Sequence, residues 1–279
     1  MTAKEYLMLD KEMKIRKRLI SDYHLVKSMG YTVLGVFLQG SQNYGLDYEG
    51  SDIDTKVIVI PSFDDIILNH RPVSHTHILP SNEHVDLKDI RLMHDCFHKQ
   101  NINFLEILFT QYRMMNSEFY DLYRPMFDNA EEIANYNNYA KLNCLCGMIY
   151  EKAKAMEHPY PTLIEKIEKY GYDPKQLHHI VRCSIFMSNH FMNDGTFRDC
   201  LWSDETTRSQ LIGIKKGDKT LEEARLIRDR HVSFAKWFHD DYFSKHELQL
   251  NKKAEEIMNQ CLHGVIAASL KKELLKEEE

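Results

Sequence analysis

The sequence predicts an α+β fold in which strands cluster early and helices late. Two observations carry that expectation. The β-branched and aromatic runs Thr32–Gln39 and 53–60 lie close together near the start of the chain. From Lys88 onward apolar residues recur almost everywhere at helical spacing. With 279 residues, 43% of them hydrophobic and 28% charged, the chain has the means to bury a core and is neither disordered nor collagen-like.

Taken in order, residues 3–29 place Tyr6, Leu7, Leu9, Met13, Ile15, Leu19, Tyr23 and Val26 at helical spacing, as one helix or two short ones, and Gly30 is suited to end the helical segment. The strand at 32–39 is followed by a Gly-rich loop, 40–50, and by the strand 53–60, which Pro61 stops. Ser62 is an N-cap for a short helix over 62–69. Two further strands, 73–79 and 84–87, flank the turn Pro80-Ser81-Asn82. Helices are expected near 88–99, 103–110, 117–127, 129–158, 161–170, 175–194, 220–243 and 252–276, with the closing KKELLKEEE as a frayed, solvated end. The Tyr- and Phe-rich stretches 112–127 and 136–150 read as core.

Composition excludes several classes. The longest apolar runs, 33–38 and 57–60, fall far short of the roughly 18 residues of a membrane span. The N-terminus mixes both charge signs and lacks the apolar stretch of a secretory signal, so the chain reads as cytoplasmic, with its six cysteines as thiols. A net charge of −6 disfavours duplex DNA, though a local basic patch suffices for a nucleotide or an RNA end. The histidines show no ligand spacing that points to zinc. The cluster Lys11, Lys14, Arg16, Lys17 and Arg18 reads as a solvated helix face or an RNA-backbone contact.

The stretch that carries chemistry is Gly40-Ser41, then nine residues, then Ser51-Asp52-Ile53-Asp54. Alternation along a strand puts Asp52 and Asp54 on one side, with Cα atoms about 6.5–7 Å apart. Two carboxylates so placed converge on a hard cation such as Mg²⁺, which is commonly held by one or two carboxylates plus substrate phosphates. The Gly40 amide can approach a phosphate because no side chain intervenes, and Ser41 adds a hydroxyl and a second amide. Asp86, between Val85 and Leu87 in a later strand, supplies a third carboxylate. A trio of this kind suits activation of an attacking hydroxyl between two metal ions about 3.5–4 Å apart. Lys56 alternates onto the face of the two aspartates, where it pairs with one of them in the absence of metal or forms a surface ion pair. Lys175, His179 and Arg182, at i, i+4 and i+7, share a helix face that neutralises a leaving pyrophosphate or is a solvated basic stripe. Asn101, Asn103 and Glu106 open a helix, as caps or as contacts to a base or ribose.

G-S, S-D-I-D and a later hydrophobic-Asp-hydrophobic triplet resemble the DNA polymerase β nucleotidyltransferase superfamily. Gly40-Ser41-Gln42-Asn43-Tyr44-Gly45 with Ser51-Asp52-Ile53-Asp54 is similar to the GSxxYG…SDxD signature of its RNA-ligase-associated, RNA-repair subgroup. Residues 101–108 are similar to that subgroup's N-P-N-x-h-E-x-L segment, with Ile102 in place of proline. Residues 172–182 are similar to its D-x-K-x-x-x-H-x-x-R helix, and Arg208 with Ile214-Lys215-Lys216-Gly217 to its later R…I-K-x-G element.

The resemblance implies a small mixed-sheet nucleotidyltransferase domain, 1–125, which includes the N-terminal helix, and a helical domain, 126–279, that closes the active-site cleft. It also implies transfer of a nucleoside monophosphate from an NTP such as ATP to an acceptor hydroxyl, with an RNA end as acceptor and Mg²⁺ or Mn²⁺ as cofactor. Asp52, Asp54 and Asp86 then carry catalysis and metal, and Gly40, Ser41, Lys175, His179 and Arg182 hold the nucleotide. Two other readings share the machinery: a nucleotide-binding interaction module without turnover, and a transferase that modifies a protein or small molecule, of toxin–antitoxin or antibiotic-resistance type.

Overall fold

The computed structural model describes the backbone of residues 3–48 and 50–277, with side chains from 8 to 275 except at position 49. The first helix, α1 (Ala3–Ser28), is unbroken and ends where Gly30 turns left-handed at φ 91°. The apolar positions read at Tyr6 and Leu7 lie outside the described side chains.

Five strands follow among the described residues: β1 (Thr32–Gln39), β2 (Asp54–Ile60), β3 (Ser74–Ile78), β4 (His84–Asp89) and β5 (Arg113–Met115). They form one sheet in the order β3-β4-β2-β1-β5. The β2–β4 pair is parallel and the others antiparallel, so the sheet is mixed.

β1 explains its own sequence. A bulge between Val33 and Gly35 lets Val33, Val36 and Leu38 face one side while Leu34 and Phe37 face the other. Gly35 lies where β5 crosses closest, since a Cβ there would stand 2.6 Å from Met115 Sδ. One face of the sheet is covered by Ile15, Leu19 and Val26 of α1. The other packs on a core that runs without interruption from Ile58 and Met93 to Met258 and Val265.

Between and after the strands come α2 (Phe63–Ile67), α3 (Ile90–His98), α4 (Ile102–Leu105) and α5 (Tyr120–Asp128). Ser62 and Asp65 form a capping box on α2. Asp89 caps α3, which is why β4 outruns the expected strand and the helix begins after Lys88. Next come α6 (Ala130–Ala134), α7 (Asn138–Ala155), α8 (Ile164–Tyr170), α9 (Pro174–Phe191), α10 (Phe197–Leu201), α11 (Glu205–Lys215), α12 (Leu221–Lys245) and α13 (Lys252–Glu277). The single helix expected over 129–158 is thus two, parted where Asn137 caps α7.

The division placed at 125/126 falls inside α5, and α13 returns to pack beside α5, α3 and α6. The expected frayed end is instead helical to Glu277. Glu273 accepts the Phe63 N–H at 3.0 Å, and Lys272 pairs with Glu118 at 2.5 Å. The side chains of 276–279 lie outside the described residues. No helix among those described is long and apolar enough to cross a membrane.

Candidate active site

β1 and β2 are antiparallel neighbours with Gln39 opposite Asp54, so the loop between them brings Gly40-Ser41 and Ser51–Asp54 to one end of the sheet. β2 and β4 run parallel with Lys56 opposite Asp86. Residues two apart on a strand face the same way, so Asp54, Lys56 and Asp86 share a face. They open onto a cleft of about 510 Å³. Gly40, Ser41 and Asp52 line it as well, and α9 contributes Lys175, His179 and Arg182 from the far side. Lys215 of α11 joins them. Asp52, Asp54, Asp86, Gly40, Ser41, Lys175, His179 and Arg182 therefore all reach one cavity, whereas Asn101 caps α4 and does not line it.

Its details differ from expectation at several points. Asp52 lies before β2 rather than in it, so strand alternation does not position it. Asp52 is exposed and has no ion-pair partner among the described residues. One oxygen of Asp54 accepts the His84 N–H at 3.1 Å and stands 3.4 Å from His84 Nδ1. Asp86 is held by Lys56, Nζ to Oδ2 at 2.5 Å, with Lys88 Nζ at 3.4 Å and the Thr76 hydroxyl donating at 3.3 Å.

The Lys56 pair is no surface contact. Lys56 is 2% exposed, and its ammonium stands 4.2 Å from the centre of the Phe104 ring. A buried ammonium requires an anionic partner, and Asp86 supplies it. The three carboxylates do not gather: among the described residues no group of three or more His, Cys, Asp or Glu is placed to hold a metal. Asp52 and Asp54 keep oxygens not taken by Lys or Arg, and that donor set, completed by phosphate oxygens, suits Mg²⁺ or Mn²⁺.

Gly40 adopts φ 77°, a conformation that favours glycine, but its amide is not free for a phosphate. It donates to Glu106 Oε1 at 3.0 Å. Glu106 is 3% exposed, and burial pushes its carboxyl up to about 7 against the opposing pull of Arg182, the Gly40 N–H and Lys56. Ser41, in a short 3₁₀ turn (Ser41–Asn43), lines the cleft.

Of Lys175, His179 and Arg182 on the opposite wall, Lys175 alone is exposed, so that helix face is not a solvated stripe. Burial, with Arg182 alongside, drives His179 well below the usual range, so its imidazole is neutral and no cation. The Arg182 guanidinium lies 4.5 Å from the Tyr44 ring centre and reaches Asn103 Oδ1 at 3.5 Å, while its Nε is buried without a partner.

Two supports escape the sequence reading. Arg18, read as part of a solvated face, is 9% exposed and binds Asp22 at 2.7 Å and also Glu83. Glu83 in turn accepts the Ile53 N–H at 3.1 Å, between the two cleft aspartates, while Asp22 accepts the buried Thr55 hydroxyl at 2.6 Å. Arg208 donates to the carbonyls of Gly45 and Asp47, fastening the cleft loop to α11. Glu106 did leave a signal, as a lone carboxylate within the apolar run Phe104-Leu105-Glu106-Ile107-Leu108. Compared with known proteins, the chain matches no family model and no curated protein.

Proposed function

We propose that this chain is a Mg²⁺- or Mn²⁺-dependent nucleotidyltransferase that moves a nucleoside monophosphate from an NTP to an acceptor hydroxyl. The observation that carries the reading is the opposition of charge across one cleft. Asp52 and Asp54 stand on the sheet side, and Lys175, Arg182 and Lys215 on the helical side. A metal nucleotide has the same division, a cation beside a polyphosphate. The unpartnered Arg182 Nε supports the reading, because a buried donor without an acceptor is costly and a phosphate oxygen would satisfy it.

Asp52 and Asp54 would hold the cation, which when bound offsets charge on the reacting phosphate. Lys175 and Lys215 face the polyphosphate, and Arg182, fixed against Tyr44, orients it. The Ser41 hydroxyl donates to a phosphate oxygen. The acceptor oxygen bonds to the α-phosphorus in line, the bond from that phosphorus to the bridging oxygen breaks, and pyrophosphate leaves. Asp86 takes the hydroxyl proton in this reading, and Lys56 fixes its carboxylate. The reaction belongs in the cytoplasm, where thiols stay reduced.

Transfer of α-labelled NTP to an unbiased pool of RNA, protein and small molecules tests the proposal, with Asp52→Ala and Asp54→Ala alongside. Labelling by the wild type and a loss of about 100-fold or more in each variant is expected, on the scale of removing one transition-state charge contact. Equal labelling by all three ends the assignment. The Lys56–Asp86 pair favours a second reading, a nucleotide-binding module without turnover, which would show calorimetric NTP binding and no product from any pool.

A further inference from the structure

Past Tyr48 the cleft opens into a second groove of about 430 Å³. Five lysines line it, Lys166, Lys169, Lys175, Lys215 and Lys216, against the two acids Glu165 and Asp173, in a chain whose net charge is −6. Lys166 lies 3.7 Å from Asp173, but the other four have no carboxylate within ion-pair distance among the described residues. Burial and the neighbouring Lys175 both push the Lys215 amine down. Like charges gathered in this way are relieved by a bound anion.

Two aromatic rings stand among these lysines. Tyr48 has Lys215 Nζ at 5.0 Å and Lys216 Nζ at 5.1 Å from its ring centre, and Tyr170 has Lys169 Nζ at 4.8 Å. Tyr170 has a built seat. Gly217 turns left-handed at φ 81°, and a Cβ there would stand 2.5 Å from the ring. The Lys215-Lys216-Gly217 end of α11 thus supplies both charge and a floor for the aromatic group. Tyr48 lines groove and cleft alike, and its N–H donates to Ser51 Oγ at 2.9 Å, one residue before Asp52.

Lysines that take phosphates, interleaved with rings that take bases, are the elements of a single-strand track. In a duplex the bases are stacked on each other and leave the tyrosines unused. An acidic peptide would use the lysines alone. We propose that this groove binds single-stranded nucleic acid, with phosphates on the lysines and bases on Tyr170 and Tyr48, so that one end of the strand enters the cleft beside Asp52. The proposal rests on the nucleotidyl-transfer reading only in making that end the acceptor.

Fluorescence anisotropy of labelled single strands of about 12 nucleotides, RNA and DNA in separate arms, tests it at about 50 and about 200 mM salt. Matched duplex and polyglutamate are the competitors. Lys169 and Lys216 lie outside the cleft, and Lys169→Gln with Lys216→Gln is expected to weaken binding about tenfold and flatten the log–log salt slope by about 1.4, roughly 0.7 for each lost phosphate contact. Tyr48→Ala is expected to weaken binding about tenfold with the slope unchanged. Binding equal in wild type and the double variant, or competition by duplex or polyglutamate as strong as by unlabelled strand, overturns the proposal. Groove-dependent binding by a wild type that transfers no label leaves the groove standing and removes the transfer reading. Transfer to strands that the double variant performs and binds unchanged does the reverse.

Discussion

Glu106→Gln isolates the energetic cost of the carboxyl that holds the glycine-serine turn. Glu106 lies on a short 3₁₀ turn (Glu106–Leu108), enclosed by apolar neighbours, and burial raises it from the usual 4.5 to about 7. The native state therefore binds more protons than the unfolded chain between about pH 4.5 and pH 7, and stability falls as pH rises through that window. Below it both states are protonated and the residue adds nothing. Above it the full penalty is present, about 3 kcal/mol from the gap in pKa at roughly 1.4 kcal/mol per unit. Glutamine keeps an oxygen to accept the Gly40 N–H but cannot ionise. Urea unfolding of both proteins at about pH 5 and about pH 8, with equal m-values, measures the difference. The variant should gain about 3 kcal/mol relative to wild type between the two pH values, or roughly 5 °C in Tm. A midpoint difference that stays constant with pH would show that the carboxyl is not desolvated, and the account of the turn would fail.

Two further perturbations address the groups around it. Lys56→Met removes the nearer of the two ammonium groups beside Asp86, leaving Lys88 at 3.4 Å, and should cost about 3 kcal/mol, most of it recovered by adding Asp86→Asn. Strictly additive effects in the cycle would deny the pair. Arg208→Ala removes the donor to Gly45 and Asp47, partly exposed at 37%, and should cost about 1 kcal/mol while speeding amide exchange across residues 40–50. Unchanged exchange there would mean that α11 does not anchor the loop.

What the sequence made legible was local. The cap at Ser62, the stop at Gly30 and the β-branched runs 32–39 and 53–60 each depend on neighbours within a few residues. β5 was not legible because three half-buried residues show no period, and its place is fixed by pairing with Gly35, far back in the chain. α11 was missed for a related reason: Glu205–Lys215 is rich in Thr, Ser and Gly and buries only Leu211 and Ile214. The acids of the cleft could be named because two flank one short strand start. Which aspartate Lys56 would take depended on the β2–β4 register, which spans 30 positions and leaves no local trace.

The supports of the cleft follow from the same distinction between local pattern and distant contact. A buried ion network is weak evidence for stability, since desolvation offsets much of the attraction, yet it fixes position well. Arg18, Asp22 and Glu83 spend that rigidity on the backbone of Ile53, between the two aspartates, while Arg208 fastens the facing loop to α11. The acidic wall is thus set by the sheet and α1, and the basic wall by α9 and α11. Loop 40–50 is tied to both through Lys11–Asp47 and Arg208. A change in that loop would alter the spacing of two walls of opposite charge while leaving every charged residue of the cleft in place. If the cleft holds a metal nucleotide as proposed, substitutions in the loop should act on how tightly it is held before they act on the global stability of the fold.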